Sequence, residues 1–153
     1  MTQEEKQLLL KDITARLSYG LKVQIDFGEH CIKYGIDRYV DDTVICVWPE
    51  TFEVGVNDED QACDIEDVKL YLRPMSSMTE EEKEELRQEH IKDEKLFAEC
   101  LTKEANGDSS MRGKVVPHFA ADWCNKNHFD YRGLIPMGIA LEAPEGMYNT
   151  KTE

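Results

Sequence analysis

A chain of 153 residues carrying a formal charge of −14 is long enough to bury the core of one domain. It is also too acidic to meet a phosphate backbone or an anionic membrane surface without a local basic patch, and the sequence offers none. Direct nucleic-acid binding and membrane association are therefore not expected, while a hydrophobic fraction of 41% argues for a folded chain. The opening Met1-Thr2-Gln3-Glu4-Glu5-Lys6 has no basic stretch leading into an apolar one, and the longest aliphatic run is Leu8-Leu9-Leu10. Neither a secretory signal nor a membrane span is read. The five cysteines, Cys31, Cys46, Cys63, Cys100 and Cys124, are scattered without a C-x-x-C pair, which fits free thiols in a reducing cytoplasm.

In chain order, Thr2 and Glu5 form a capping box, and Leu8, Leu9, Ile13 and Leu17 recur at helical spacing, so a first helix is expected over 3–18, ending at Gly20. Leu21, Val23 and Ile25 alternate with Lys22, Gln24 and Asp26 as in a half-buried strand. Glu29 to Tyr34 is a second, weaker strand, ending at Gly35. Thr43-Val44-Ile45-Cys46-Val47-Trp48 is the strongest strand of the chain. Its near-continuous apolarity points to a central place in a sheet, and Pro49 closes it. Phe52, Val54 and Val56 alternate in turn, which makes Trp48 to Thr51 a hairpin turn. Asp64 to Val68 reads as one helical turn before a last short strand, Lys69 to Leu72.

The joint Leu70-Tyr71-Leu72-Arg73-Pro74-Met75-Ser76-Ser77-Met78-Thr79-Glu80-Glu81-Glu82 changes the period from alternating to helical. Pro74 lacks a backbone N–H and biases Arg73 toward extended geometry, and Thr79 with Glu82 forms a second capping box. One long helix follows over 80–103. Asn106 to Ser110 is a loop by composition, and Pro117 suits the first turn of a helix carrying Phe119, Ala120, Trp123 and Cys124 on one face. Phe129, Tyr131, Leu134, Ile135, Met137, Ile139, Ala140 and Leu141 then form the densest apolar block outside the strands. The expected fold is α+β within a single domain, 1–153. Residues 1–74 form a helix and a small antiparallel β-barrel or curled sheet of SH3-like or OB-like type. Residues 75–144 form a helical part that includes a C-terminal helical block, and 145–153 a disordered tail.

Two blocks, Tyr71-Leu72-Arg73-Pro74-Met75-Ser76-Ser77-Met78-Thr79-Glu80-Glu81-Glu82 and Asn127 to Ile135 running on to Ala140-Leu141-Glu142-Ala143-Pro144-Glu145-Gly146-Met147-Tyr148, resemble a widespread family of uncharacterised proteins. That family is encoded in gut anaerobic bacteria and in their phages and prophages. The resemblance implies cytoplasmic expression, often from mobile DNA, and carries no activity with it.

A metal site could draw on His118, Cys124 and His128 with Asp122 or Asp130, but H-x5-C-x3-H matches no established zinc pattern, and Cys124 shares an apolar helical face. No metal and no cofactor are expected. A Cys124/His128 nucleophile pair lacks an oxyanion motif. The cluster Trp123, His128, Tyr131 and Arg132 is the best ligand-site candidate, since Tyr and Arg can stack on and clamp a planar or anionic ligand. The plainer reading packs Phe129 and Tyr131 inward and leaves Asp130 to pair with Arg132 or cap a turn. Between Arg38 and Lys69 the chain has no basic residue and ten acidic ones. Within that run Asp58, Glu59, Asp60 and Asp64 form the expected acidic interaction face. The expected function is non-enzymatic: an accessory protein binding a host or phage protein through the acidic face or the C-terminal block. A small-molecule or nucleotide binder and a DNA-mimicking inhibitor are the alternatives. Oligomeric state is not legible.

Overall fold

In the computed structural model, residues 1–59, 62–105 and 118–148 are described. Asp60, the 106–110 loop reading, the Pro117 helix start and residues 149–153 lie outside them. The first helix, α1, spans Gln3–Arg16, and both halves of its capping box form: Thr2 Oγ1 accepts from the Glu5 N–H, and Glu5 accepts from the Thr2 N–H. A 3-10 turn carries the chain to Gly20, whose φ of 70° ends the helix in the left-handed region that favours glycine.

Five strands follow: β1 (Lys22–Asp26), β2 (Tyr39–Trp48), β3 (Glu53–Val56), β4 (Cys63–Asp64) and β5 (Val68–Leu72). The segment read as a weak second strand is instead a short helix, α2 (His30–Lys33), with an exposed Ile32. Its alternation was not that of a sheet face, because only Cys31 is buried. The joint behaves as its sequence indicates. Thr79 and Glu82 cap each other across the start of α3 (Glu80–Ala105). Glu82 in addition takes both terminal nitrogens of Arg73 at 2.8 Å. One carboxylate thus ties the helix start to the end of β5 through a forked pair, the strong geometry for arginine. Burial would raise the Glu82 carboxyl, but Arg73 and the Thr79 N–H together hold it below its ordinary value.

After α4 (Phe119–Lys126) the chain departs from the helical block expected. Residues 128–139 are turns and irregular chain with one parallel bridge between Arg73 and Phe129, and Ala140–Glu142 is a sixth strand, β6, that pairs parallel to β5, Leu70 facing Ala140 and Leu72 facing Glu142. The sheet order is β4-β3-β2-β1-β5-β6. The other pairings are antiparallel, so the sheet is mixed, and it does not close into a barrel: β4 and β6 remain its two edges. Residues 145–148, read as the start of a disordered tail, fold back onto the sheet, as Tyr148 below makes clear. Leu9 and Ile13 of α1 pack on one face, against Val23, Ile25, Val44, Val54, Val56, Val68 and Leu70. A smaller cluster of Met78, Cys124 and Phe129, flanked by Leu86, Trp123 and Tyr131, lies under α3 and α4.

Candidate functional site

The residues that the sequence offers as a ligand site do come together, and each bonds or stacks within the fold, although the buried Tyr131 hydroxyl and His128 Nδ1 have no hydrogen-bond partner among the described residues. Trp123 stacks on Phe129 with ring centroids 5.5 Å apart and donates from Nε1 to Glu85 at 3.2 Å. His128 sits at φ 59°, a left-handed turn that sends the fully buried Phe129 into the core. Its Nε2 meets the Tyr19 carbonyl at 2.9 Å, and its ring stacks on Tyr148 at 3.8 Å. Burial, with Arg16, Arg73 and Lys22 adding to it, pushes the His128 imidazole down to about 4, so it is neutral. Asp130 caps the following turn, accepting from the Leu134 and Ile135 N–H groups. Arg132 pairs with Asp12 at 3.3 Å and lies over the Tyr131 ring.

Beneath this cluster is a pair that sequence reading missed. Arg16 and Asp12 are both fully buried. Arg16 donates from Nε and Nη2 to the Asp12 carboxylate at 2.9 and 3.2 Å, and from Nη2 to the Phe129 carbonyl at 2.6 Å. The only signal was the spacing of four on a helix, which ordinarily describes a surface pair. Tyr148 was missed as well. Its hydroxyl accepts from the Lys22 N–H and donates to the Tyr71 carbonyl, both at 2.8 Å. It stands where β1 and β5 diverge and replaces the ladder bond they no longer make.

Neither Cys124 nor His128 is set up for chemistry. Burial pushes the Cys124 thiol up, the reverse of what a nucleophile needs. Among the described residues no three His, Cys, Asp or Glu side chains converge as a metal site would require. Cys124 lies in the smaller apolar cluster, His128 between Tyr19 and Tyr148, and His118 is exposed.

A different surface stands open. On β2 the inward positions are Val44 and Val47, and the register slips between them, leaving Ile45 and Cys46 together opposite Gly55. Such a bulge turns both residues to the outer face. Tyr39, Ile45 and Trp48 are 51%, 56% and 44% exposed, and Ile32, Tyr34 and Ile36, in α2 and the connection leading into β2, are exposed too. The sequence placed β2 centrally, and in strand order it is interior, between β1 and β3. Its apolar run nonetheless serves two faces, one buried and one bare.

Trp48 lies across Gly55: a Cβ there would meet the Cys46 thiol and come within 3.2 Å of the indole. Only glycine lets the ring settle so close to the strand. The carboxylates of the expected acidic face flank this strip. Asp58 takes the Asn57 side chain, and its N–H goes to Asp42; Asp64 caps the next turn through the Glu66 N–H. Asp58, Glu59 and Asp64 are all exposed. Nearby, Asp26, Glu59, Asp64 and Asp67 line a groove of about 230 Å³. There burial and then the charges of Asp64, Asp26 and Glu66 raise the Asp67 carboxyl. These acids gather at the β3–β4 side of the sheet, while Lys22 reaches Thr43 of β2 at 3.4 Å and Arg38 lies over Tyr39.

Among the described residues no helix is long and apolar enough to cross a membrane. No family model, no curated protein and no solved structure matches the chain.

Proposed function

We propose that the protein is a non-enzymatic binding protein that docks a basic protein partner on the outer face of β2 and β3. By its two sequence blocks it would be a cytoplasmic accessory protein of the phage or prophage type, and its partner a host or phage protein. The observation that carries the reading is the exposure of Tyr39, Ile45 and Trp48 on β2, preceded by exposed Ile32, Tyr34 and Ile36 in α2 and the connection that leads into it. Among the described residues, six of the eleven large hydrophobic side chains found exposed thus fall within seventeen residues of sequence. Apolar side chains exposed together and rimmed by charge mark interaction surfaces.

Charge selects the kind of partner. The run from Tyr39 to Val68 contains no cation, so a second copy of this acidic chain would be repelled and a basic surface attracted. The C-terminal cluster supports the same choice from the other side, since Trp123, His128, Tyr131 and Arg132 already bond or stack within the fold.

The test is capture of a partner from host lysate by the full chain at about 50 and about 200 mM salt, with Ile45→Asp and Lys83→Ala compared. Lys83 pairs with Glu80 on exposed α3 and serves as the control. The reading expects a basic protein to be captured, retained by Lys83→Ala, lost with Ile45→Asp and weakened at high salt. Capture that is indifferent to Ile45→Asp rejects the face.

A further inference from the structure

The outer face also has an anchor point, and resting on the docking reading above, we propose that it takes an arginine side chain of the partner. The cross-strand registers put three residues in one row: Trp48 faces Glu53 across β2 and β3, and Glu53 faces Asp64 across β3 and β4. Directly opposed residues of an antiparallel pair have Cβ atoms about 5 Å apart on one face of the sheet. The row therefore reads indole, carboxylate, carboxylate. Gly55 lets the six-membered ring of the indole come close to the strand, and Trp48 stays 44% exposed to solvent.

Among the described residues neither Glu53 nor Asp64 makes an ion pair, in contrast with Glu66, which has Lys6, and Asp26, which has Arg38. Glu66 and Asp26 have their cations; the two carboxylates in the row do not. A planar cation is what an exposed indole beside carboxylates without an ion pair recognises. A guanidinium stacks on the ring while its fork of N–H groups reaches the neighbouring carboxylate, and an ammonium can do only the second as a point charge. The occupant is thus an arginine within a basic segment, laid along the face between Tyr39 and Trp48, with Ile45 as the apolar contact beside it. Arginine already makes such contacts within this fold: Arg38 lies over the Tyr39 ring at 5.0 Å while its guanidinium pairs with Asp26.

The experiment titrates the full chain with a short glycine-spaced arginine peptide and with a lysine peptide of the same charge and length, followed by the indole N–H resonances. The chain has two tryptophans, and Trp48→Phe assigns them. The arginine peptide should bind about two- to fivefold tighter than the lysine peptide, as an exposed cation–π contact allows. It should shift the Trp48 resonance and not that of Trp123. Glu53→Gln should remove most of that preference while leaving the unfolding midpoint unchanged. Equal affinity for the two peptides, or a preference that survives Glu53→Gln, overturns the arginine site. The two readings fail separately. Partner capture lost with Ile45→Asp but no arginine preference removes only the anchor, whereas capture unaffected by Ile45→Asp removes the docking face itself.

Discussion

Replacing Asp12 with alanine should be among the most damaging single changes in this fold. The carboxylate accepts two bonds from Arg16, at 2.9 and 3.2 Å, and one from Arg132 at 3.3 Å. Burial lifts the Asp12 carboxyl above its ordinary value, and the two guanidiniums pull it back. Without it, Arg16 keeps the Phe129 carbonyl at 2.6 Å and the Cys124 carbonyl at 3.5 Å, but no negative charge, and it remains beside a second arginine over the same Tyr131 ring. Stranding one member of a buried ion pair costs about 3–5 kcal/mol, a large part of the roughly 5–15 kcal/mol that holds a domain folded. At about 2–4 °C per kcal/mol for a chain of this size, Tm should fall by roughly 10 °C. The assay is urea unfolding followed by far-UV circular dichroism, with Asp12→Ala compared with the double variant Asp12→Leu/Arg16→Met. Because removing both charges leaves none stranded, the double variant should regain about half of the loss or more. A loss below about 1 kcal/mol in the single variant, at unchanged denaturant slope, would refute the argument that Arg16 depends on this carboxylate.

Two further outcomes follow from the C-terminal fold-back. The His128 imidazole is depressed from 6.5 to about 4, so below pH 6.5 the unfolded chain takes up a proton that the folded chain refuses. The stability this withholds grows from pH 6.5 down to about 4, reaching about 3 kcal/mol. His128→Asn, which tolerates the left-handed φ, should flatten that limb by about 2 kcal/mol when urea midpoints at pH 7 and 4.5 are compared. In Tyr148→Phe the Lys22 N–H loses its acceptor inside the fold, costing about 1–3 kcal/mol, and hydrogen exchange at the Lys22 amide should accelerate. Exchange unchanged from the parent would mean that another group satisfies it.

Local chemistry was the legible part of this sequence. Thr2 with Glu5 and Thr79 with Glu82 announced two helix starts, because a capping box is complete within four residues. The hairpin around Pro49 was equally local. What escaped depends on residues far apart in the chain. The three residues of β6 carry no alternating pattern of their own and become a strand by pairing parallel to β5, about seventy positions earlier. The chain from Glu29 to Tyr34 lacks such a neighbour and coils into α2 instead. Arg16 and Asp12 carry no local signal beyond their spacing of four on α1, and what Arg16 bonds to inside the fold is the backbone of residues 124 and 129. The candidate site divides along the same line. Trp123, His128, Tyr131 and Arg132 were found as a group, but their partners Tyr19, Glu85, Asp12 and Tyr148 could not be. The bare outer face was hidden by the bulge at Ile45 and Cys46, which adds an apolar residue to the strand and makes a two-faced sequence read as a buried one.

The Tyr148 hydroxyl that bridges β1 and β5 sets an order of events during synthesis. The antiparallel strands β1 to β5 and their helix lie within the first 72 residues and can pair as soon as they leave the ribosome. Arg16 must wait for a carbonyl 113 positions later, and the Lys22 N–H for a side chain 126 positions later. At about 5–20 residues per second that interval is roughly 6–25 s. Between the emergence of β5 and that of β6, about seventy residues or roughly 3–14 s, β5 is an unpaired edge, open to pairing with another chain, and a buried-to-be arginine stays in water. The nascent protein is therefore most exposed to misassembly between the emergence of β5 and that of β6, and ribosome-associated chaperones would have their longest opportunity at that stage.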